Sequence, residues 1–354
     1  MKNKQQNQSN KLQSEKAEQV TNANPQEKSP WIKILLFLKS FFVSGKKEEK
    51  PKNFAESAVS MLKTIVGAFV VVMIINGLAI ASFVVPTGSM ENTVMSGDFL
   101  FVNKFIYGPS TPQVIPFFNL ELPFYKFPGF KSPKRGDVIV FIYPGERDEL
   151  KATEFQYYLK RCVAEPGDSL KIINKKLYVN GVEYQLPPNG KFETPRQLTP
   201  EQLQYIEQTE KYMTFPNGRE YTPDNYGPIR IPKKGDVIQL TSTNIREWYV
   251  FIKREGHIVE ESFNSIYIDN KPATSYIVQE DYCFGMGDNR DNSKDSRFWG
   301  FVPVKNVVGT PIVVYWSWDP KTLISPGESI FSIFPNLFSK FATVRWSRIL
   351  KFIN

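Results

Sequence analysis

From Thr64 to Val85 the chain reads TIVGAFVVVMIINGLAIASFVV, a run without one charged side chain. A helix of about 22 residues, rising roughly 1.5 Å per residue, crosses a hydrocarbon core of roughly 30 Å. The run is too long and too deep in the chain for the apolar part of a cleavable signal. It is read as a transmembrane helix with outer bounds 58–85. About a dozen lysines precede it against about half as many acidic residues, so the positive-inside rule predicts a cytoplasmic N-terminus and an outer location for everything after Val85.

Both flanks fit a membrane setting. Residues 1–30 are rich in Gln, Asn, Lys and Glu and poor in anything that could be buried, which is the composition of a disordered tail. WIKILLFLKSFFV, residues 31–43, is too short to span and is interrupted by Lys33 and Lys39; it reads as an interfacial helix, with a second, poor span as the alternative. The whole of 1–57 is therefore expected on the cytoplasmic side. At the other end, IFPNLFSKFATVRWSRILKFIN places Leu337, Phe338, Phe341 and Val344 at helical spacing, with Lys340, Arg348 and Lys351 on other faces. Residues 329–354 are expected as a basic amphipathic helix on the bilayer, with docking onto the folded domain as the alternative. The net charge of +8 is concentrated in these two ends beside apolar and aromatic stretches. That pattern favours a lipid surface over nucleic acid as partner.

The region between the ends reads as mostly β. DFLFVNKFI, GDVIVFIY, FQYYLKRCVA, LKIINKKLYVNG, GDVIQLT, WYVFIKR, IYIDN and VVGTPIVVYW are short alternating or apolar runs punctuated by Pro, Gly and Asn, with no βαβ alternation. Residues 107–137, dense in Pro and aromatics, read as an extended hairpin or loop whose rings suit a lipid interface. Residues 175–281 offer no assignable chemistry and read as a β-rich subdomain inserted between a first core part, 86–174, and a second, 282–320. Within the insert, QLTPEQLQYIEQTE is a candidate helix.

The residue inventory excludes several chemistries. With one histidine and two cysteines, Cys162 and Cys283, the chain lacks the ligands of the usual zinc sites, and it has neither HExxH nor paired CxxC. A Ser-His-acid triad would have to use His257, in EGHIVEE, yet no GxSxG elbow accompanies it. His257 is read as a surface or strand residue. No metal or other cofactor is expected.

Just past the apolar run, VVPTGSMENTVMSGDF presents Ser89. Four extended residues reach at most about 14 Å, which holds this hydroxyl near the membrane surface, where an enzyme acting on peptides emerging from the bilayer would need it. A base for Ser89 must be a carboxylate or a lysine. A lysine works only when neutral, so its reference pKa of about 10.4 must be pulled down by burial. EFQYYLKRCVAEPGD supplies Lys160, with Arg161 directed to the opposite face by strand alternation. Taken singly, PTGSM could be an ordinary loop and Lys160 a surface lysine at a strand end. The third segment, YCFGMGDNRDNSKDSRFWGFVP, has the Gly, Asp, Asn and Ser density of turns. It lacks the terminal Glu of a calcium loop and carries Arg290 and Arg297, so a hydrogen-bonded loop with an Asp295 to Arg297 link is the simpler reading.

Taken in order, PTGSM with GDFLFVNKFIYG, then KRGDVIVFIYP, then YLKRCVAEPGD, then GDNRDNSKDSRFWGFVP resemble the type I signal peptidases of bacteria, membrane-anchored serine proteases with a Ser/Lys dyad. The resemblance spans roughly residues 83–318. It implies a signal-peptidase-like β fold in which Ser89 is the nucleophile and Lys160 the general base. It further implies that Thr87 joins the Ser89 N–H in the oxyanion hole, that Ser293 hydrogen-bonds the Lys160 amine, and that Asp295 and Arg297 support that loop. Phe83, Val85 and Leu159 would line pockets for the small residues of an Ala-x-Ala-like pattern. The implied activity is removal of signal peptides from exported preproteins at the outer face of the cytoplasmic membrane, with signal peptides and the lipid bilayer as partners. One departure is visible: the pattern S-M-x-P-T is here Ser89-Met90-Glu91-Asn92-Thr93, so the proline that shapes the turn is missing. Family members often have two spans, whereas this chain shows one convincing span. Cys162 and Cys283 leave a disulfide open. Two alternatives are an envelope adaptor without catalysis and a Ser/Lys protease that cuts itself; the latter would lack the span and usually carry a DNA-binding segment, of which no pattern is evident.

Overall fold

The computed structural model describes residues 54–111, 114–115, 120–121, 125–193, 201, 204–205, 208–209, 213–262, 265–319 and 341–353. The expected disordered tail and interfacial helix of 1–57 thus lie almost wholly outside the described residues. The chain divides into two compact units, 1–71 and 72–354.

Helix α1 runs from Phe54 to Leu78. Its described apolar side chains, including Val59, Met61, Leu62, Ile65 and Val66, are largely exposed. Among the described residues no helix is long and apolar enough to cross a membrane. The expected span to Val85 is corrected at its C-terminal end, because Ile80–Val84 is a strand, β1. An uninterrupted apolar run fits either a helix or a buried strand. Here the β-branched and aromatic side chains of Ile80, Phe83 and Val84 meet a partner, β2 (Asp98–Asn103), in register from Ile80 opposite Asn103 to Val84 opposite Phe99.

Next comes a short hairpin, β3 (Val114–Ile115) and β4 (Leu120–Glu121), closed further out by a bridge between Ser110 and Lys126, so the extended hairpin expected in 107–137 is present. Strands β5 (Val138–Ile142) and β6 (Tyr157–Ala164) follow. Then come β7 (Ser169–Ile173), β8 (Lys176–Val179), β9 (Val182–Glu183), β10 (Tyr226–Arg230) and β11 (Val237–Gln239). Beyond helix α2 (Ile245–Arg254) lie β12 (Val259–Ser262), β13 (Ser265–Ile268), β14 (Lys271–Pro272) and β15 (Ser275–Ile277). The last elements are β16 (Tyr282–Met286), a helical turn α3 (Ser296–Trp299), β17 (Val302–Pro303), β18 (Val307–Ser317) and β19 (Lys351–Phe352).

One antiparallel sheet in the order β1-β2-β18-β5-β6-β16-β17, with β19 also on β18, forms the frame of the second unit. β5 is buried at all but its last residue, and β6 over its second half, Lys160 and Arg161 included, so both strands are covered on both faces there. The insert, joined by β7 of the first core part, forms smaller sheets, β10-β7-β8-β9, β11-β15 and β12-β13-β14. Its tight hairpins turn at Asn174–Lys175, Asn180–Gly181 and Asp269–Asn270, each pair with positive φ at both positions. That geometry matches strand twist and favours Asn, Asp and Gly. WYVFIKR, expected as a strand, lies in α2 instead. Ile245, Trp248 and Ile252 recur at i, i+3 and i+7, and this helical period prevails over the β-propensity of the aromatics. The described residues of QLTPEQLQYIEQTE are helical, as expected.

The insert is not an independent body. Val163 and Ala164 of β6 and Phe284 of β16 share one core with Leu170, Ile172, Tyr226, Phe251 and Ile252. Phe251 of α2 packs 4.8 Å from the Tyr282 ring and 6.0 Å from that of Phe301. At the C-terminus the expected amphipathic helix is corrected for residues 341–353: a 3-10 turn at Trp346–Arg348 leads into β19, and the segment docks on β18. Residues 329–340 lie outside the described part.

Phe251→Ala is expected to cost about 3–5 kcal/mol, as for other buried aromatics cut to alanine. Because the core is shared, urea unfolding followed by far-UV circular dichroism and by tryptophan fluorescence should give coincident, equally shifted transitions. An early separate transition of the insert would contradict the shared core.

Candidate active site

Ser89 sits in the turn between β1 and β2, and apolar neighbours hold that turn from beneath. Met90 and Val94 are buried with Val85 and Leu100 in one cluster. The Thr93 and Val94 N–H groups donate to the Met90 carbonyl, and Val85 pairs with Asp98 and Gly97 at the base of the loop. Among the described residues no carbonyl accepts the Ser89 N–H, and Thr87 is exposed on the same turn.

Lys160 arrives from β6, where it stands opposite Ile139 of β5. It is only 4% exposed, and its Nζ lies 2.5 Å from Ser89 Oγ. Burial lowers the amine to about 8; the carboxylates of Asp295 and Asp288 act against that fall, and the Arg297 guanidinium acts with it. The expected pair is thus brought together across a sequence separation of 71 residues. Alternation directs Arg161 to the other face, where it is equally buried because Asp288 meets it.

Two glycines that the sequence reading did not single out make this approach possible. A Cβ on Gly285 would lie 3.2 Å from Lys160 Cβ, and one on Gly287 would lie 2.2 Å from Ser293 Oγ and 2.5 Å from the Ser89 carbonyl. Positions two apart along a strand share a face, so the G-M-G spacing was a readable signal. Asp288 was also missed. Fully buried, it accepts from Arg161 Nε and Nη2, both at 2.8 Å, and from the Thr93 hydroxyl at 2.5 Å. Asn289 donates its backbone N–H to the Ser89 carbonyl at 3.1 Å and its side-chain amide to the Gly88 carbonyl at 3.2 Å.

Asp295 and Arg297 form the expected link. Arg297 donates from Nε and Nη2 to Asp295, both at 2.9 Å, and from Nη2 to the Arg290 carbonyl. Asp295 also accepts the Gly287 N–H at 3.1 Å. Burial alone would raise the Asp295 carboxyl, but the Arg297 guanidinium outweighs it and holds the group below the usual carboxylate range. Ser293 departs from expectation. Its hydroxyl is buried beside Gly287 and the Ser89 carbonyl, but among the described residues it has no hydrogen-bond partner and does not bond the Lys160 amine, whose contact is with Ser89.

A cleft of about 320 Å³ opens over the pair, and Phe83, Val85 and Leu159 line it beside Ser89 and Lys160. Its walls are chiefly apolar, which suits small uncharged side chains in extended peptide. A second cavity, of about 250 Å³, lies between Tyr143 and α2 and contains none of these residues. His257 does not line the cleft over Ser89 and Lys160 and pairs with Asp269 at 2.7 Å. Cys162 and Cys283 are buried and unbridged; the neighbouring Cys283 thiol and burial both push the Cys162 thiol up. No group of acidic, His or Cys side chains suited to a metal occurs among the described residues.

The family model described as "Signal peptidase, peptidase S26" matches residues 58–316. A signal peptidase I of Helicobacter pylori is 31% identical over 309 residues, covering 84% of this chain and 94% of that protein. One from Aquifex aeolicus is 30% identical over 266 residues, covering 73% and 85%. A solved signal peptidase I from Enterococcus faecalis is similar at 22% identity over 51% of this chain and 97% of that one, with a TM-score of 0.21, too low to bear on the fold.

Gly287→Ala should cut peptide cleavage by at least about 100-fold, the scale of a misplaced reacting group, while far-UV circular dichroism stays unchanged. Full activity would show that the Ser89 carbonyl and Ser293 tolerate displacement. Lys160→Met should be more stable than the native protein. The folded-state value near 8 lies below the unfolded value of about 10.4, so the cost of burying the ammonium is fully present below pH 8 and fades as pH rises towards 10.4. The difference in Tm should therefore be largest at or below pH 8, on the order of 3 kcal/mol in stability, and shrink above it.

Proposed function

The chain belongs to the S26 signal peptidases, serine endopeptidases that remove signal peptides from preproteins, and on that premise we propose that Ser89 is its nucleophile and Lys160 its general base. The 2.5 Å separation of Lys160 Nζ and Ser89 Oγ, with the amine buried and lowered to about 8, carries this reading. Neutral Lys160 takes the Ser89 proton as Oγ attacks the scissile carbonyl. Negative charge developing on the carbonyl oxygen meets the Ser89 N–H, with the Thr87 hydroxyl as second donor. The resulting ammonium protonates the departing amine and returns to the neutral form. Lys160 then takes a proton from water as that water attacks the acyl-enzyme, and passes it to Ser89 Oγ as the ester bond breaks, which restores the hydroxyl and the neutral amine.

The other assignments rest on the same premise. Ser293 holds the amine when it moves away from Ser89, which explains a buried hydroxyl kept without a partner. Asp295 and Arg297 keep the loop from Gly287 to Arg297 in place. Phe83, Val85 and Leu159 select small residues of an Ala-x-Ala-like sequence, and neither metal nor nucleotide takes part. The bilayer is the second partner. The exposed apolar side chains of α1 and the lysine-rich segment before it support membrane anchoring by one pass, with the N-terminus cytoplasmic and the catalytic domain on the outer side of the cytoplasmic membrane.

The pH profile tests the base. Since the neutral amine is the active form, kcat/KM should rise through about pH 8 and level off above it. Ser89→Ala and Lys160→Arg should each lose at least about 10³-fold in preprotein cleavage, the guanidinium because it cannot deprotonate. An active Lys160→Arg enzyme would remove Lys160 from this role.

A further inference from the structure

The family match ends at residue 316, yet residues 344–353 return to the loop that carries Ser89. Trp318 bridges to Val344, Arg345 N–H donates to the Ser317 carbonyl, and β19 pairs Phe352 with Val313 and Lys351 with Val314. Ile353 packs against the cluster containing Val85, Met90 and Val94, so the segment reaches the floor of the Ser89 turn.

Its basic side chains have specific acceptors there. Asp98, at the foot of the loop, is fully buried and takes a fork from Arg348: Nε at 2.9 and 3.0 Å from its two oxygens and Nη2 at 2.5 Å. The same carboxylate accepts the Met95 N–H at 2.8 Å and the Ser317 hydroxyl at 2.7 Å. Three carbonyls that follow Ser89 are capped from the tail: Asn92 by Lys351 Nζ at 3.3 Å, Thr93 by Arg348 Nη2 at 3.4 Å, and Ser96 by Arg345 Nη2 at 2.6 Å.

The missing proline explains why such support is needed. Asn92 has φ +74°, a left-handed conformation open to Asn but closed to proline, whose ring holds φ near −65°. The turn after Ser89 therefore has a different backbone from one with proline at this position and is not shaped by ring closure. We propose that residues 344–353 are an intramolecular brace in which Arg348 and Lys351 act as positioning residues, holding the turn after Ser89 so that its hydroxyl stays within reach of Lys160. This rests on the assignment of Ser89 as nucleophile.

The test uses the full chain in phospholipid vesicles with a preprotein substrate, its active sites counted with an acylating serine-directed probe. Arg348→Ala is expected to lower kcat per titrated site by about 10- to 100-fold with KM within about twofold, as for a slightly misplaced reacting group. Arg348→Lys should recover part of the loss, and Lys351→Met should lower kcat by about threefold with Tm unchanged. The acidic limb should stay near pH 8 in all of them, because the tail does not touch Lys160. The pair Asp98→Asn with Arg348→Met removes both buried charges, so it should regain much of the Tm lost by Arg348→Ala while kcat stays low. Native kcat per site in Arg348→Ala and in this double variant, with only Tm affected, would overturn the brace. Ser89→Ala is run alongside: if it is inactive, as expected, the outcome for the tail stands alone, whereas an active Ser89→Ala would overturn the nucleophile assignment itself.

Discussion

Everything in the site depends on keeping one lysine out of water. An ammonium is strongly hydrated, and enclosing its nitrogen between β5, β6 and β16 makes the neutral amine easier to reach. The same enclosure requires strand neighbours with little bulk, which Gly285 and Gly287 supply. Replacing either glycine adds volume where the backbone of the third segment approaches Lys160 or Ser89. The low value of the amine is therefore a property of sheet packing, and the chemistry is only as secure as the register that places Ile139 and Gly285 around this part of β6.

Three fully buried carboxylates, Asp98, Asp288 and Asp295, hold the segments around the site, each matched by an arginine: Arg348, Arg161 and Arg297. Unpaired carboxylates near Lys160 would favour the charged lysine and work against the effect of burial. Asp295 and Asp288 do pull in that direction, and Arg297 opposes them. Pairing each carboxylate with a fixed guanidinium gives charge-assisted, hydrogen-bonded links, and at Lys160 the Arg297 guanidinium offsets part of the carboxylates' pull. Buried pairs of this kind add little stability over apolar packing, because desolvation offsets their attraction, but they are specific about geometry. Here each ties a separate piece of chain to the site. Asp98 joins the foot of the Ser89 loop to the C-terminal segment, Asp288 joins Thr93 to β6, and Asp295 joins Gly287 to Arg290 through Arg297.

The local chemistry was legible and the long-range pairing was not. PTGSM, the inward lysine of YLKRCVA and the GDNRDNS turns carried their residue types openly, and the Asp295 to Arg297 link could be read from spacing alone. The end of α1 was not readable, because Thr64–Val85 has no period that separates a helix from a strand; only the presence of β2 draws Ile80–Val84 into a sheet. The C-terminal segment was misread for a related reason. Its basic and apolar residues suit a helix on lipid, but Arg348 has a buried partner 250 positions earlier that no local pattern announces. The φ of Asn92 was equally hidden, although the absent proline marked the place where the backbone would differ.

The early end of α1 within the apolar run bears on the mechanism proposed above. The apolar run leaves its helix at Leu78, and within a few residues the same run becomes β1, whose Phe83, followed by Val85, forms a wall of the cleft. With the anchoring proposed above, a single continuous stretch of sequence runs from lipid to substrate pocket. Each extended residue adds about 3.3 Å, so lengthening this junction would raise the hydroxyl above the membrane without altering its chemistry. Catalysis on soluble peptides would then survive while cleavage of membrane-inserted substrates declined. On that proposal, the distance along the chain from Leu78 to Ser89 would bear on specificity beside the apolar walls of the cleft.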